Sequence, residues 1–406
     1  MIHPISSATI HHLADQFNDQ PQKVNNSDYW NQYLKTGTNL WLDTGDIEAS
    51  SKLWNSAFTA LTTNNTLLNA EVQKGLYDTI IPELSSKLRY LSDEEKVKEI
   101  AFCLNAIHGL RIAKIFNCKV SVELHTDLAH DVNGIETIGK RLFDINPSHF
   151  IIKVPFTASG LLGARKLHEM GIPVNFTLDF SVRQNGFAAV IAQPAYTNVF
   201  LGRLGAYLKN NNLGDGQYIG EKVTLESQRS LLALANKGIS NTRLIAASIR
   251  SKDQLYQLLG CDTFTIPVGV ATDAVQNLIQ ISKSDIVINN PTLFDTTDTQ
   301  AVRLPHLWLV EEHEKEVIHR LNEKTPSTAQ ELIEYAYERG CHDIFPILTK
   351  EEHEFLRSDG KIPVHERWAD KIRDGEVGID SLLNLAGLYS FEKDQADLDN
   401  RIKSFL

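Results

Sequence analysis

The chain has 406 residues, 42% of them hydrophobic and 22% charged, which is enough for a large core in one big domain or in one domain with an appendage. Acidic residues outnumber basic ones by 51 to 40, and a net charge of −11 argues against nucleic acid or an anionic membrane as the main partner. No basic stretch leads into a long apolar one at the start, and no apolar run is long enough to span a bilayer, so a cytoplasmic protein is expected. Cys103, Cys118, Cys261 and Cys341 lack CxxC spacing and read as reduced, buried thiols, while the 14 histidines form no HxxxH pair suited to a metal. The runs Glu311-Glu-His-Glu314 and Glu351-Glu-His-Glu354 read as solvated helix faces.

Residues 1–36 are polar and read as an N-terminal lead of one or two short helices. A regular alternation then begins. Strands are expected at 39–43, 59–63, 119–123, 149–154, 172–177, 196–200, 243–248 and 262–267. Helices are expected at 47–55, across 70–116 with a break near 91–93, and at 134–143, 161–170, 181–192, 224–237, 252–259 and 272–281. Residues 210–220 read as a variable loop between the sixth strand and its helix. Eight strands alternating with helices predict a (β/α)8 TIM barrel over 37–283. An open doubly wound sheet is the alternative, but no glycine-rich nucleotide motif supports it. Beyond the barrel, 289–298 reads as a loop or insertion, and 284–406 as a mostly helical, charged C-terminal extension.

The fourth strand carries Lys153 among apolar, β-branched neighbours, just before Pro155, which should stop the ladder. An ammonium in such a place is poorly solvated, and that frees the amine to attack a carbonyl. In such barrels the reacting groups lie at the C-terminal ends of strands. Read that way, the chain offers Asp43, Asn64, Glu123, Lys153, Asn175 with Thr177, Asn198, and Ser248 with Arg250. Asp43 and Asn64 also have an ordinary explanation as turn residues. As a set, these groups suit carbon–carbon cleavage through a Schiff base. Lys153 would attack a ketose carbonyl, Asp43 would act as base on a sugar hydroxyl, and Glu123 would shuttle protons through a water held by Thr177. Asn64 and Asn175 would hold hydroxyls, and Arg203, Ser248 and Arg250 a phosphate. This chemistry requires no metal or organic cofactor.

The segments Asp43-Thr-Gly-Asp46, Thr62-Thr-Asn64, Val120-Ser-Val-Glu123, Ile152-Lys-Val154, Val174-Asn-Phe-Thr177, Phe200-Leu-Gly-Arg203 and Ala247-Ser-Ile-Arg250, in this order, resemble those of the transaldolases. The resemblance implies a Schiff-base lysine at Lys153, an acid/base aspartate at Asp43, and a water-positioning pair at Glu123 and Thr177. It further implies substrate contacts at Asn64, Asn175, Asn198, Phe200, Arg203, Ser248 and Arg250. The implied reaction moves a dihydroxyacetone unit from sedoheptulose 7-phosphate to glyceraldehyde 3-phosphate, in the non-oxidative pentose phosphate pathway. It yields erythrose 4-phosphate and fructose 6-phosphate, and many members of the family are homodimers. The alternatives are a fructose-6-phosphate aldolase-like enzyme with the same lysine chemistry, or a silent sugar-phosphate-binding barrel. The sequence departs from the family pattern at Asn65, at Leu124-His125, at Asp179 and at Asn198. Two further expectations concern the extension: that 382–389 packs on the barrel or a partner subunit, and that Lys361 and Arg367 reach the active-site mouth.

Overall fold

The computed structural model describes residues 4–282, 285–286 and 302–406. Eight parallel strands close into a barrel in chain order: β1 (Asn39–Asp43), β2 (Phe58–Thr62), β3 (Lys119–Glu123), β4 (Phe150–Pro155), β5 (Val174–Thr177), β6 (Tyr196–Phe200), β7 (Arg243–Ala247) and β8 (Thr263–Pro267). β1 pairs with β8 to complete the ring. The fold is a (β/α)8 barrel.

Short connections at the C-terminal ends of the strands follow from local chemistry. Asp46, Asn64, Thr157, Ser181 and Ser251 each accept a backbone N–H from the first turn of the following helix, so chain reversal begins within a few residues of the strand. The barrel interior is layered by the two-residue side-chain period of a strand. Trp41, Ala60, Ile151, Ile245 and Ala247 form an apolar cluster of their own, with Tyr196 and Phe200 packed on it. Trp41 and Tyr196 meet edge to face at 4.7 Å. Two residues further along the same faces come Asp43, Thr62, Lys153 and Asn198, so a dry plug supports a polar layer.

Several expected boundaries move. Pro155 belongs to the ladder and pairs with Thr177; without an N–H it is tolerated as the last residue of its strand. A helix at Leu201–Asn210 fills the stretch between the sixth strand and the expected loop at 210–220, where no element was expected; Leu201, Leu204, Tyr207 and Leu208 make a buried helical stripe. The helix after β8 is Val268–Gln276, starting and ending earlier than expected. The expected loop at 289–298 lies outside the described residues.

The N-terminal helices Ser7–Asp15 and Asp28–Lys35 pack on the barrel, with the Trp30 ring 5.2 Å from that of Phe58. After β8 the described chain is mostly helical and ends in the helix Ile379–Lys403, hereafter the terminal helix. The terminal helix binds the rim of the barrel. Asn384 Nδ2 donates to the Phe156 carbonyl at 3.0 Å and to the Leu178 carbonyl at 2.9 Å. Asn65 Nδ2 donates to Gln395 Oε1 at 2.6 Å. The segment 382–389 therefore packs on its own barrel.

A second anchor is buried between barrel and extension. Arg183 Nη1 donates to Glu314 Oε1 at 2.8 Å and to Asp343 at 3.0 Å, while its Nε and Nη2 reach Asp380 at 2.8 Å. Glu314 is thus a buried partner, which corrects the reading of its acidic run as a solvated face; a charge pattern along one helix cannot reveal an arginine 131 residues away. All four cysteines are buried and free, as expected. Among the described residues no helix is long and apolar enough to cross a membrane.

Candidate active site

Parallel pairing sets three of the expected residues side by side. Glu123 is in register with Lys153, and Lys153 with Asn175. The Lys153 ammonium lies 3.7 Å from Glu123 Oε2 and donates to the Thr63 carbonyl at 3.2 Å. Both charged side chains are only 5% exposed. Across the barrel, Asp43 Oδ1 accepts from Thr62 Oγ1 at 2.7 Å, and Thr62 Oγ1 lies 2.6 Å from Thr265 Oγ1.

Burial governs the carboxyls. It raises Glu123 to about 7, against the opposing pull of Lys153. It raises Asp43 too, with Lys153, Thr62 and Arg250 acting the other way. Two acids held near a lysine, with their proton affinity increased, are suited to taking and returning protons near neutral pH.

Asn175 Nδ2 donates to Ser121 Oγ at 3.0 Å, and Asn198 Nδ2 to the Phe176 carbonyl. Their other amide atoms, Asn175 Oδ1 and Asn198 Oδ1, are buried without a protein partner, as are Thr177 Oγ1, Glu123 Oε2 and Arg203 Nη1. Orphaned buried polar atoms are uncommon in proteins, and several of them at the C-terminal ends of β3, β5 and β6 mark a place suited to binding something polar. Asn64 serves partly as the ordinary turn residue: its Oδ1 caps the next helix through Leu67 N at 2.8 Å.

The basic side of the mouth is assembled by β6 and β7. Arg203 is buried between the rings of Phe200 and Phe391, 5.3 and 5.8 Å from their centroids. Burial and, after it, the like charge of Arg250 lower its guanidinium to about 10. Gly202 lets the two arginines approach: a Cβ there would stand 2.2 Å from the Ser248 carbonyl and 2.7 Å from Arg250 Cγ. Ser248 itself adopts a left-handed φ of 61°, turning the chain at the end of β7. A cavity of about 740 Å³ lies behind β3, among Leu68, Phe102, Leu128 and Ile138; it touches Glu123, but Lys153 and Arg203 are not in its walls.

Sequence reasoning missed the residues that hold the site: Ser121, Thr62, Thr265 and Asn384. Ser121 had a signal, since it stands two residues before Glu123 on the same face. Asp179, singled out only as a departure, is fully buried, accepts from Thr197 Oγ1 at 2.8 Å, and is raised by burial to about 7.

A closed eight-stranded barrel with a buried lysine and two carboxyls at the C-terminal ends of its strands defines the class: a (β/α)8 enzyme acting on polar substrates. The chain matches the family described as Transaldolase/Fructose-6-phosphate aldolase over residues 40–325. It is 31% identical over 242 residues to a transaldolase of Protochlamydia amoebophila, covering 57% of this chain and 73% of that protein. A probable transaldolase of Dictyostelium discoideum is 29% identical over 243 residues, covering 57% and 74%. A transaldolase of Shewanella oneidensis is 27% identical over 284 residues, covering 68% and 85%. The chain belongs to the transaldolase/fructose-6-phosphate aldolase family, and is an enzyme of the type that transfers aldehyde or ketone groups.

Proposed function

We propose that this protein is a transaldolase that passes a dihydroxyacetone unit from sedoheptulose 7-phosphate to glyceraldehyde 3-phosphate, by way of a Schiff base on Lys153. The observation that carries the reading is the buried Lys153 ammonium beside Glu123, on a barrel whose neighbouring strand ends carry buried polar atoms without protein partners. In this reading the Lys153 amine adds to the ketose carbonyl, and loss of water gives an iminium. Asp43 takes the proton of the C4 hydroxyl, the C3–C4 bond breaks, and its electrons move into the iminium to give an enamine. Erythrose 4-phosphate leaves. The enamine carbon then attacks the aldehyde of glyceraldehyde 3-phosphate, Asp43 returns its proton, and hydrolysis releases fructose 6-phosphate.

Glu123 handles the protons of carbinolamine formation and iminium hydrolysis through a water held with Thr177. Asn64, Asn175 and Asn198 hold hydroxyls, Phe200 lines the pocket, and Arg203, Ser248 and Arg250 take the phosphate. Residues 37–283 would be the catalytic barrel, with 1–36 as its lead and 284–406 as its extension. The proposed setting is the non-oxidative pentose phosphate pathway in the cytoplasm.

The test is intact-mass analysis and peptide mapping after mixing the protein with fructose 6-phosphate and borohydride. A reduced three-carbon adduct on Lys153 is expected, together with erythrose 4-phosphate-dependent turnover. An adduct on another residue, or none, overturns the lysine assignment. Release of free dihydroxyacetone at the same rate with and without acceptor would instead assign the aldolase reaction.

A further inference from the structure

We propose that Gly387 and Phe391 of the terminal helix are positioning residues for Arg203, and that through them the extension sets the preference for phosphorylated sugars. This rests on the proposed reading of Arg203 as a ligand of the substrate phosphate. Three observations carry it.

The first is how Arg203 is held. Its Nη1 is buried without a partner, and among the described residues no carboxylate pairs with the side chain. What surrounds the guanidinium accepts no hydrogen bond from it: the rings of Phe200 and Phe391, and the helix surface at Gly387. A long cationic side chain carries much rotamer freedom, and aromatic faces can hold its plane without occupying its N–H donors. Those donors are left for an anion.

The second is the glycine. Gly387 is buried in the interior of a 25-residue helix, where glycine is weaker than alanine, and its φ lies outside the left-handed region. What the missing side chain provides is therefore space. A Cβ there would stand 2.8 Å from Arg203 Nη1 and 2.6 Å from Leu178 Cδ2. Both atoms are the far ends of side chains, so added bulk displaces the arginine head and the leucine tip before it displaces backbone.

The third is that the helix cannot retreat. Asn384, Gly387, Phe391 and Gln395 follow at spacings of three and four and share one face. Before Gly387, Asn384 is tied to the Phe156 and Leu178 carbonyls; after Phe391, Gln395 is tied to Asn65 at 2.6 Å. The turns between these anchors are pinned over Arg203. Arg367, a tail cation expected at the mouth, is instead paired with Asp359 at 2.6 Å.

The experiment compares wild type with Gly387→Ala and Phe391→Leu. It combines titration with inorganic phosphate, steady-state kinetics with fructose 6-phosphate, and borohydride trapping of dihydroxyacetone, which carries no phosphate. Misplacing one charge-assisted donor group weakens binding by about tenfold. Both variants are expected to bind inorganic phosphate that much more weakly and to raise the KM for fructose 6-phosphate by the same factor, while dihydroxyacetone trapping is unchanged. Equal phosphate affinity in wild type and both variants overturns the proposal. So does a loss of dihydroxyacetone trapping in step with phosphate binding, which would assign a general packing role. Should Gly387→Ala fail to fold, Phe391→Leu, which adds no atoms, decides alone. Failure of trapping in wild type would overturn the Schiff-base reading instead, while the phosphate titration would still decide the role of the two residues.

Discussion

Glu123 and Lys153 face each other from adjacent strands in register, with 3.7 Å between Oε2 and Nζ and almost no exposure for either. Their separation is too long for a tight hydrogen bond and short enough for strong electrostatic coupling. A carboxyl raised to about 7 by burial is ionised only above neutral pH, so as a proton acceptor it gains function as pH rises. kcat/KM should therefore climb through a limb near pH 7. Glu123→Gln should lower kcat about a hundredfold to ten-thousandfold and remove that limb. A pH–rate profile of both proteins is the check; an unmoved limb in the variant would assign it to another group.

Asp179 offers a stability test separate from catalysis. Burial raises its carboxyl to about 7, from the ordinary aspartate value of 3.8. Between those values the folded state binds more protons than the unfolded chain, so stability falls as pH rises across the window and levels off above it. The loss is on the order of a few kcal/mol. Asp179→Asn keeps an acceptor for Asn198 N without the charge, and should flatten the dependence of the urea midpoint between pH 5 and 8. If the slope stays as steep as in wild type, other groups own it.

Asn384 joins the two loops that follow Lys153 and Thr177. Asn384→Ala leaves the Phe156 and Leu178 carbonyls without their donor in a buried place, at a cost of about 2 kcal/mol. Leu178 already holds a left-handed φ of 68° and depends on its neighbours to stay there. The variant should lose kcat severalfold even well below its unfolding temperature, where a purely global effect would be silent. Thermal unfolding combined with kinetics at low temperature separates the two.

Arg183 should be the least replaceable residue between barrel and extension. Arg183→Met strands Glu314, Asp343 and Asp380 as buried carboxyls and should destabilise the protein by about 4 kcal/mol. The same variant in an Asp343→Asn, Asp380→Asn background should recover part of the loss. Chemical denaturation of both reads the difference.

The barrel was legible because its signals are local. A two-residue alternation marks the strand faces, and Asp46, Asn64, Ser181 and Ser251 stop each strand by capping the next helix within a few residues. For the same reason Asp43, Glu123, Lys153 and Asn175 could be picked as inward-pointing residues at strand ends. The helix Leu201–Asn210 was hidden by its glycines, Gly202 and Gly205, which weaken helical propensity while permitting close approach to neighbouring backbone.

The sequence alone determined the alternation of eight strands with helices, the polar residues at the strand ends, and the residue types that can do the chemistry, since period and propensity act over a few residues. Tertiary structure decided which distant groups complete the polar layer. Asn384 meets Phe156 across 228 residues, and Arg183 meets Asp380 across 197. Burial of Glu123 and Asp179, which sets their proton affinity, likewise exists only once the strands and the terminal helix have closed over them. Desolvation belongs to the assembled fold and to no single segment.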